Sequence, residues 1–136
     1  MSGPENTFIA SVHRHLCPSL YKMKNHNQYN GGIPDVWYSG SKSDLWVEYK
    51  FVILPKKDDT LIDLVGGKNP ILSELQQHWL KNRHAEGRHV SVIMGSQLGG
   101  VWMPGISWEV TLSTHSFRTS ILLRNELAKT ISNIVS

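Results

Sequence analysis

Apolar residues at Phe8, Ile9, Val12 and Leu16 recur at the spacing of one helix face and predict a helix over residues 2–16. Ser2 reads as its N-cap, Pro4 as a tolerated first-turn proline and Glu5 as a capping-box glutamate. Pro18 stops the helix, because the residue before a proline is pushed out of helical backbone. Residues 21–24 read as a short first strand, and residues 25–32, polar and ending in Gly31-Gly32, as a loop. Residues 35–38 and 45–52 read as strands, joined through Gly40, Ser41, Lys42 and Ser43, which predicts a hairpin. Residues 55–69 mix charge, Gly66-Gly67 and apolar positions, the pattern of a long surface loop that is functional or ordered. Ser73 and Gln76 match a capping box that opens a helix over 73–85, and Gly87 suits its end. The β-branched run at 88–94 is a strand, and 101–103 and 108–112 read as two shorter ones. Phe117, Ile121, Leu127, Ala128, Ile131 and Val135 give the end of the chain a broad apolar side, which predicts one helix over 114–134.

The order α-β-β-β-α-β, then small strands and a last helix, implies an α/β fold with a mixed sheet covered by helices. Its 136 residues suit one domain, with a core over about residues 4–95 and an extension over 96–136 for packing or dimerisation. A hydrophobic fraction of 40% and a charged fraction of 18% are globular, which excludes a disordered chain. No apolar run approaches the roughly 20 residues of a membrane span, and the start lacks a basic region followed by an apolar one. We therefore expect a cytoplasmic protein with no membrane partner. Cys17 is the one cysteine, so no internal disulfide forms, and a free cysteine is expected to be buried packing.

The formal charge of +3 is compatible with an anionic partner without demanding one. Five Trp and four Tyr are many for this length, so some are expected at an interface or beside a nucleic acid. The seven histidines are too scattered for a zinc pattern, and only His78 falls near another candidate, Gln76. Residues 95–100 are glycine-rich but lack the Gly-Lys-Ser/Thr of a phosphate loop, so they read as a turn and a nucleotide-binding enzyme is disfavoured.

The chemistry lies in the central hairpin. Side chains alternate along a strand, so Leu45, Val47, Tyr49 and Phe51 share one face while Trp46, Glu48, Lys50 and Val52 share the other. Glu48 and Lys50 then point the same way, about 6.6 Å apart along the strand. Asp35, at the start of the partner strand, can join them. Two carboxylates can hold a hard divalent cation such as Mg²⁺ or Mn²⁺ through oxygen. A lysine beside them can orient water or stabilise charge developing on a phosphoryl group. A surface ion pair on a half-solvated sheet is the plainer explanation for Glu48 and Lys50. Three features weigh against it: Pro34-Asp35 follows a Gly-Gly loop, Asp35 stands 13 residues before Glu48, and the strand around Lys50 is strongly apolar.

The run Gly32-Ile33-Pro34-Asp35, followed by Glu48-Tyr49-Lys50, resembles the PD-(D/E)xK nuclease superfamily, and within it the virus-type replication-repair nuclease (VRR-NUC) family. Leu72-Ser73 with Gln76 and Trp79 resembles that family's leucine-serine-x-x-glutamine segment, and Glu5 takes the place of its first-helix glutamate. The likeness spans residues 5–94. Tyr49 departs from it, standing where a small aliphatic residue is usual; since it faces away from Glu48, a packing change is expected. The resemblance implies a stand-alone, phage-like, metal-dependent DNA endonuclease, acting as a homodimer on branched DNA such as four-way (Holliday) junctions. In a phage-encoded protein the compartment would be the host cytoplasm. It also implies catalytic roles for Asp35, Glu48, Lys50, Gln76 and Glu5. The implied metal ligands are Asp35, Glu48, the backbone carbonyl of Tyr49, and Glu5 directly or through water.

Glu5 and Gln76 each have a second reading as capping-box residues, although Glu5 also continues the stripe of Ile9, Val12 and Leu16. Lys22, Lys24, Lys56, Lys57 and Lys68 are candidate DNA contacts, with Lys56-Lys57 partly cancelled by Asp58-Asp59. Trp79 is expected to pack in the core. The rival classes are a non-catalytic DNA-binding module on the same fold and a nuclease that nicks or restricts plain duplex.

Overall fold

Asp44–Phe51 (β3) is the middle strand of a five-stranded sheet. It runs antiparallel to Val36–Ser39 (β2) and parallel to Val90–Ser96 (β5). Tyr21–Lys24 (β1) extends the sheet beyond β2, and Gly99–Pro104 (β6) extends it beyond β5, both antiparallel. Gly3–His13 (α1) precedes the sheet, and Glu74–Ala85 (α2) provides the crossover that the parallel β3–β5 pair requires. The computed structural model describes residues 3–25 and 31–136, so the Ser2 cap, His26 and the loop at 26–30 lie outside the described residues. The expected α-β-β-β-α-β order is present, and the architecture is restriction-endonuclease-like. Among the described residues, no helix is long and apolar enough to cross a membrane.

Both faces of β3 are covered, as its place in a mixed sheet requires. Leu45, Val47 and Tyr49 enter one core with Phe8, Ile9 and Val12 of α1 and with Leu127, Ala128 and Ile131 of Arg124–Val135 (α4). Val92, Met94 and Leu80 of α2 build the other core with Trp108 and Phe117. The face alternation read from the sequence therefore divides the molecule into two cores. Gly95 lies directly under Phe8, where a Cβ would come within 2.8 Å of the ring, so α1 packs down on bare backbone.

The end of the chain departs from expectation in three ways. Residues 108–112 are not one strand: Ser107–Glu109 is a 3₁₀ turn, fixed by Trp108 donating Nε1–H to the Gly105 carbonyl at 2.8 Å, and only Leu112 enters a strand. The single helix over 114–134 is two helices, Thr114–Thr119 (α3) and α4. Phe117 belongs to one core and Leu127 to the other, on opposite faces of the sheet, so one straight helix cannot serve both. Between them Leu122 pairs with Gly100 at the sheet edge (N–H to O distances of 2.8 and 3.0 Å), which carries the chain around β6. The apolar side of α4, with Leu127, Ala128, Ile131 and Val135, is buried in the first core.

Residues 55–69 are an ordered loop, tied down by the C-terminal part of the chain. Leu61–Ile62 (β4) pairs with Leu112–Ser113 (β7), and Thr114 donates to the Thr60 carbonyl at 2.8 Å. Cys17 is exposed, contrary to expectation. It falls in the turn that Pro18 enforces, off the α1 stripe, with its sulfur 3.0 Å from the Ser19 hydroxyl.

A buried polar chain crosses the first core. The Tyr49 hydroxyl meets that of Tyr38 at 2.6 Å, and Tyr38 meets His13 Nε2 at 2.7 Å. Burial first, then Lys22 and Lys24, lower the His13 pKa from 6.5 to about 4. The folded protein thus keeps this ring neutral where the unfolded chain protonates it. Its contribution to stability is complete above pH 6.5 and is lost as pH falls toward 4. The slope is below about 1.4 kcal/mol per pH unit, because the ring is partly exposed. Urea unfolding across that window should show it, and His13→Gln should flatten it. Tyr38→Phe breaks both links of the chain and should cost about 2 kcal/mol, against about 1 kcal/mol for Tyr49→Phe.

Candidate active site

The β2–β3 register sets Val36 against Val47. Continued by one residue it brings Asp35 opposite Glu48, and paired residues point to the same face. Continued by two it brings Pro34 opposite Tyr49. Pro34 has no N–H to give the Tyr49 carbonyl. The Tyr49 N–H goes instead to the Asp35 side chain, at 2.9 Å from Oδ2. The pairing of the two strands thus ends at Pro34-Asp35, which leaves a carboxylate where the ladder would have continued.

Glu48 is buried to 2% exposure, a rare environment for a carboxylate. Lys50 Nζ stands 3.5 Å from Glu48 Oε2, and its side chain keeps 17% exposure. Gln76 Nε2 donates to the same Oε2 at 3.0 Å. Gln76 also closes the capping box: its Oε1 accepts from Ser73 N at 3.0 Å, while Ser73 Oγ accepts from Gln76 N at 3.2 Å. The two readings of this residue coexist in one side chain. The amide oxygen caps α2, and the amide nitrogen, a donor only, is left to face a carboxylate.

Glu48 Oε1 is buried and meets no donor among the described residues. Burial, then the negative charge of Asp35, raise the Glu48 pKa to about 8, with Lys50 opposing. Asp35 is also raised, first by burial and then by Glu5, against the Tyr49 N–H and Lys50. A buried and a half-buried carboxylate side by side, one with an unpartnered oxygen, are oxygen donors of the kind a hard divalent cation takes. The residues present fit Mg²⁺ or Mn²⁺. Among the described residues no group of three His, Cys, Asp or Glu side chains is gathered as a metal site. The charge of Glu5 nevertheless reaches Asp35 from the first turn of α1.

The segment carrying Asp35 is locked to α2 by glycine. Gly32 has φ +91°, and a Cβ there would strike the Leu75 carbonyl; a Cβ on Gly31 would lie 2.5 Å from Leu75 Cδ1. The structure therefore brings together Asp35, Glu48, Lys50 and Gln76 from a loop, a strand and a helix. It does not bring Lys22 and Lys24 to them. Those lysines alternate onto the α1 side of the sheet, near His13, and Lys24 donates to Asn6 at 3.3 Å. Lys56, Lys57 and Lys68 are exposed in the loops between β3 and α2, and His78 is exposed on α2. Trp79 is half-buried and packs against the second core. The close approach of Gly32 was missed in the sequence; its signal was the Gly-Gly pair ahead of Pro34.

No family model matches this chain, and no curated protein matches it. Among solved structures it is similar to a Holliday junction resolvase, Hjc of Archaeoglobus fulgidus, an archaeal hyperthermophile. The TM-score is 0.54 at 11% identity, over 93% of this chain and 97% of that one. At that identity the likeness establishes a shared fold, end to end.

Proposed function

We propose that the chain is a divalent-metal-dependent endonuclease that hydrolyses DNA phosphodiester bonds, with branched DNA such as four-way junctions as substrate. The observation that carries this is the pairing of half-buried Asp35 with buried Glu48, one of whose oxygens is unpartnered, beside a lysine. A fold shared with a Holliday junction resolvase supports the choice of branched substrate.

Asp35, Glu48 and the Tyr49 carbonyl would hold Mg²⁺ or Mn²⁺, with Glu5 reaching it through water. Such a cation supplies Lewis acidity to the phosphoryl group and a lowered water pKa. Gln76 holds Glu48 in one orientation, so the carboxylate does not reorganise when substrate arrives. Lys50, kept near Glu48 and partly exposed, offers its ammonium to charge that builds on the phosphoryl oxygens. A four-way junction presents scissile bonds related by a two-fold axis, which favours a homodimer with two such sites.

The test is cleavage of labelled four-way junction, flap, nicked, single-stranded and plain duplex DNA in Mg²⁺ and in Mn²⁺, with chelator controls. We expect paired symmetric cuts in the junction, reduced on the order of 10³-fold in Lys50→Ala and in Asp35→Ala. Cleavage that persists in those variants, or none on any substrate, would leave the non-catalytic DNA-binding module as the better account.

A further inference from the structure

The sheet face that carries Glu48 and Lys50 continues, toward the β2–β3 turn, into a row of aromatic rings. Trp37 and Trp46 are direct cross-strand partners, stacked at 5.6 Å and 12°. Tyr21 meets Trp37 edge-on at 5.3 Å, and Trp46 meets Trp79 of α2 at 5.3 Å. The Arg83 guanidinium lies 5.5 Å from the Trp79 ring centre. Gln76, Trp79 and Arg83 follow one another at helical spacing, so the row begins beside the residue that holds Glu48.

A groove of about 860 Å³ opens beside two rings of this row, Trp46 and Trp79. Ile33, two residues from Asp35, lines it, and so do Trp46, Trp79 and the cations Lys42, Arg83 and Arg88, with His89 beside them. Asp44 is its one carboxylate among the described residues, and that accepts from Ser39 at 2.7 Å. Arg83 is ion-paired with Glu86 at 3.0 Å, so the positive balance rests on Lys42 in a turn and Arg88 in a loop.

These rings stay more exposed than the buried aromatic side chains, although Trp46 and Trp79 also pack against the second core. Trp108, Tyr38 and Tyr49 are fully buried, whereas Tyr21 is 51% exposed and Trp37, Trp46 and Trp79 are half-buried. Half-exposed rings interleaved with cations are the composition of a surface that stacks bases and neutralises phosphates. The groove has the volume of a pocket for a drug-sized molecule, enough for roughly two or three nucleotides and far too small for a duplex.

We propose that this groove binds unpaired nucleotides of the DNA substrate, a single strand leading away from the carboxylate pair. Resting on the reading of the chain as a DNA-cutting enzyme, it adds a single-strand path to that site. Bases stack on Trp79 and on the Arg83 plane, and Lys42 and Arg88 take the phosphates.

The experiment measures binding of a short oligo(dT) to the full chain in chelator, by tryptophan fluorescence and anisotropy across a salt series. In parallel, cleavage is measured on blunt-armed junctions and on junctions with a single-stranded tail. We expect oligo(dT) to quench tryptophan emission. Lys42→Glu/Arg88→Glu, two exposed changes that spare the fold, should weaken binding about tenfold and lower the salt slope by about 1.4. Trp79→Ala should lose the quenching, and Trp79→Phe should restore binding. Blunt-junction cleavage should stay within about twofold of the parent in the charge-reversed variant. Binding of oligo(dT) indifferent to these changes, or an equal loss of cleavage with and without the tail, would overturn the proposal. The nuclease reading is scored separately. Cleavage that survives Asp35→Ala sinks that reading whatever the groove does, and a failed groove leaves Asp35-dependent cleavage intact.

Discussion

Glu48→Gln should abolish cleavage and, at the same time, stabilise the metal-free protein at pH 8. The two effects share one cause. Glu48 is buried beside Asp35, and its pKa is raised to about 8. The folded state therefore binds a proton that the unfolded chain releases near 4.5. Stability then falls as pH rises through 4.5 toward 8, by up to about 1.4 kcal/mol per pH unit. Glutamine keeps the shape and removes the charge. Its oxygen still accepts from Gln76, and its amide can donate to Asp35 at any pH, which Glu48 does only while protonated. Urea unfolding at pH 5 and pH 8 reads this: the parent should lose stability between the two, and the variant should not. Mg²⁺ should flatten the parent's loss and leave the variant unmoved, because only the parent keeps the charge that the cation relieves. Cleavage should drop on the order of 10³-fold. A variant less stable than the parent at pH 8 would refute the strain assigned to the carboxylate pair.

Much of this site was legible because its signals are local. Alternation with period two put Glu48 and Lys50 on one face regardless of the rest of the fold, and the Ser73–Gln76 box set the start of α2. The reach of Gln76 to Glu48 was not local: it depends on α2 crossing the sheet at β5, which no short window records. The same limit explains the closing helices. Nothing within residues 114–134 forbids one helix, since neither glycine nor proline interrupts them. The break comes from the sheet, whose two faces claim Phe117 and Leu127 separately. The strand expected at 108–112 is reduced to Leu112 because Trp108 is drawn into the second core by a turn. The basic groove was missed for a related reason: Arg83 and Arg88 flank the end of α2, but Lys42 joins them only in space.

Gly32→Ala should cost more activity than stability. Gly32 sits at φ +91°, where any side chain is strained, and a Cβ would strike the Leu75 carbonyl at the first turn of α2. That clash is with backbone, so no rotamer relieves it. The loop must lift from the helix, and Asp35, three residues on, must move with it. Strain of this kind costs about 1–3 kcal/mol, which a folded domain can bear. The site is less tolerant. Asp35 is placed by one bond to Tyr49 N, and Glu48 by Gln76, which rides on α2. Separating the loop from α2 by about 1 Å pulls one carboxylate from the other, a displacement that costs on the order of 10²-fold in rate. The variant should therefore melt as a cooperative domain with a modestly lower Tm, while junction cleavage at saturating Mg²⁺ falls about a hundredfold. Higher Mn²⁺ should recover part of the rate if the damage is to the spacing of the oxygen donors. Full activity in a folded Gly32→Ala protein would show that the loop and α2 do not set the distance between Asp35 and Glu48.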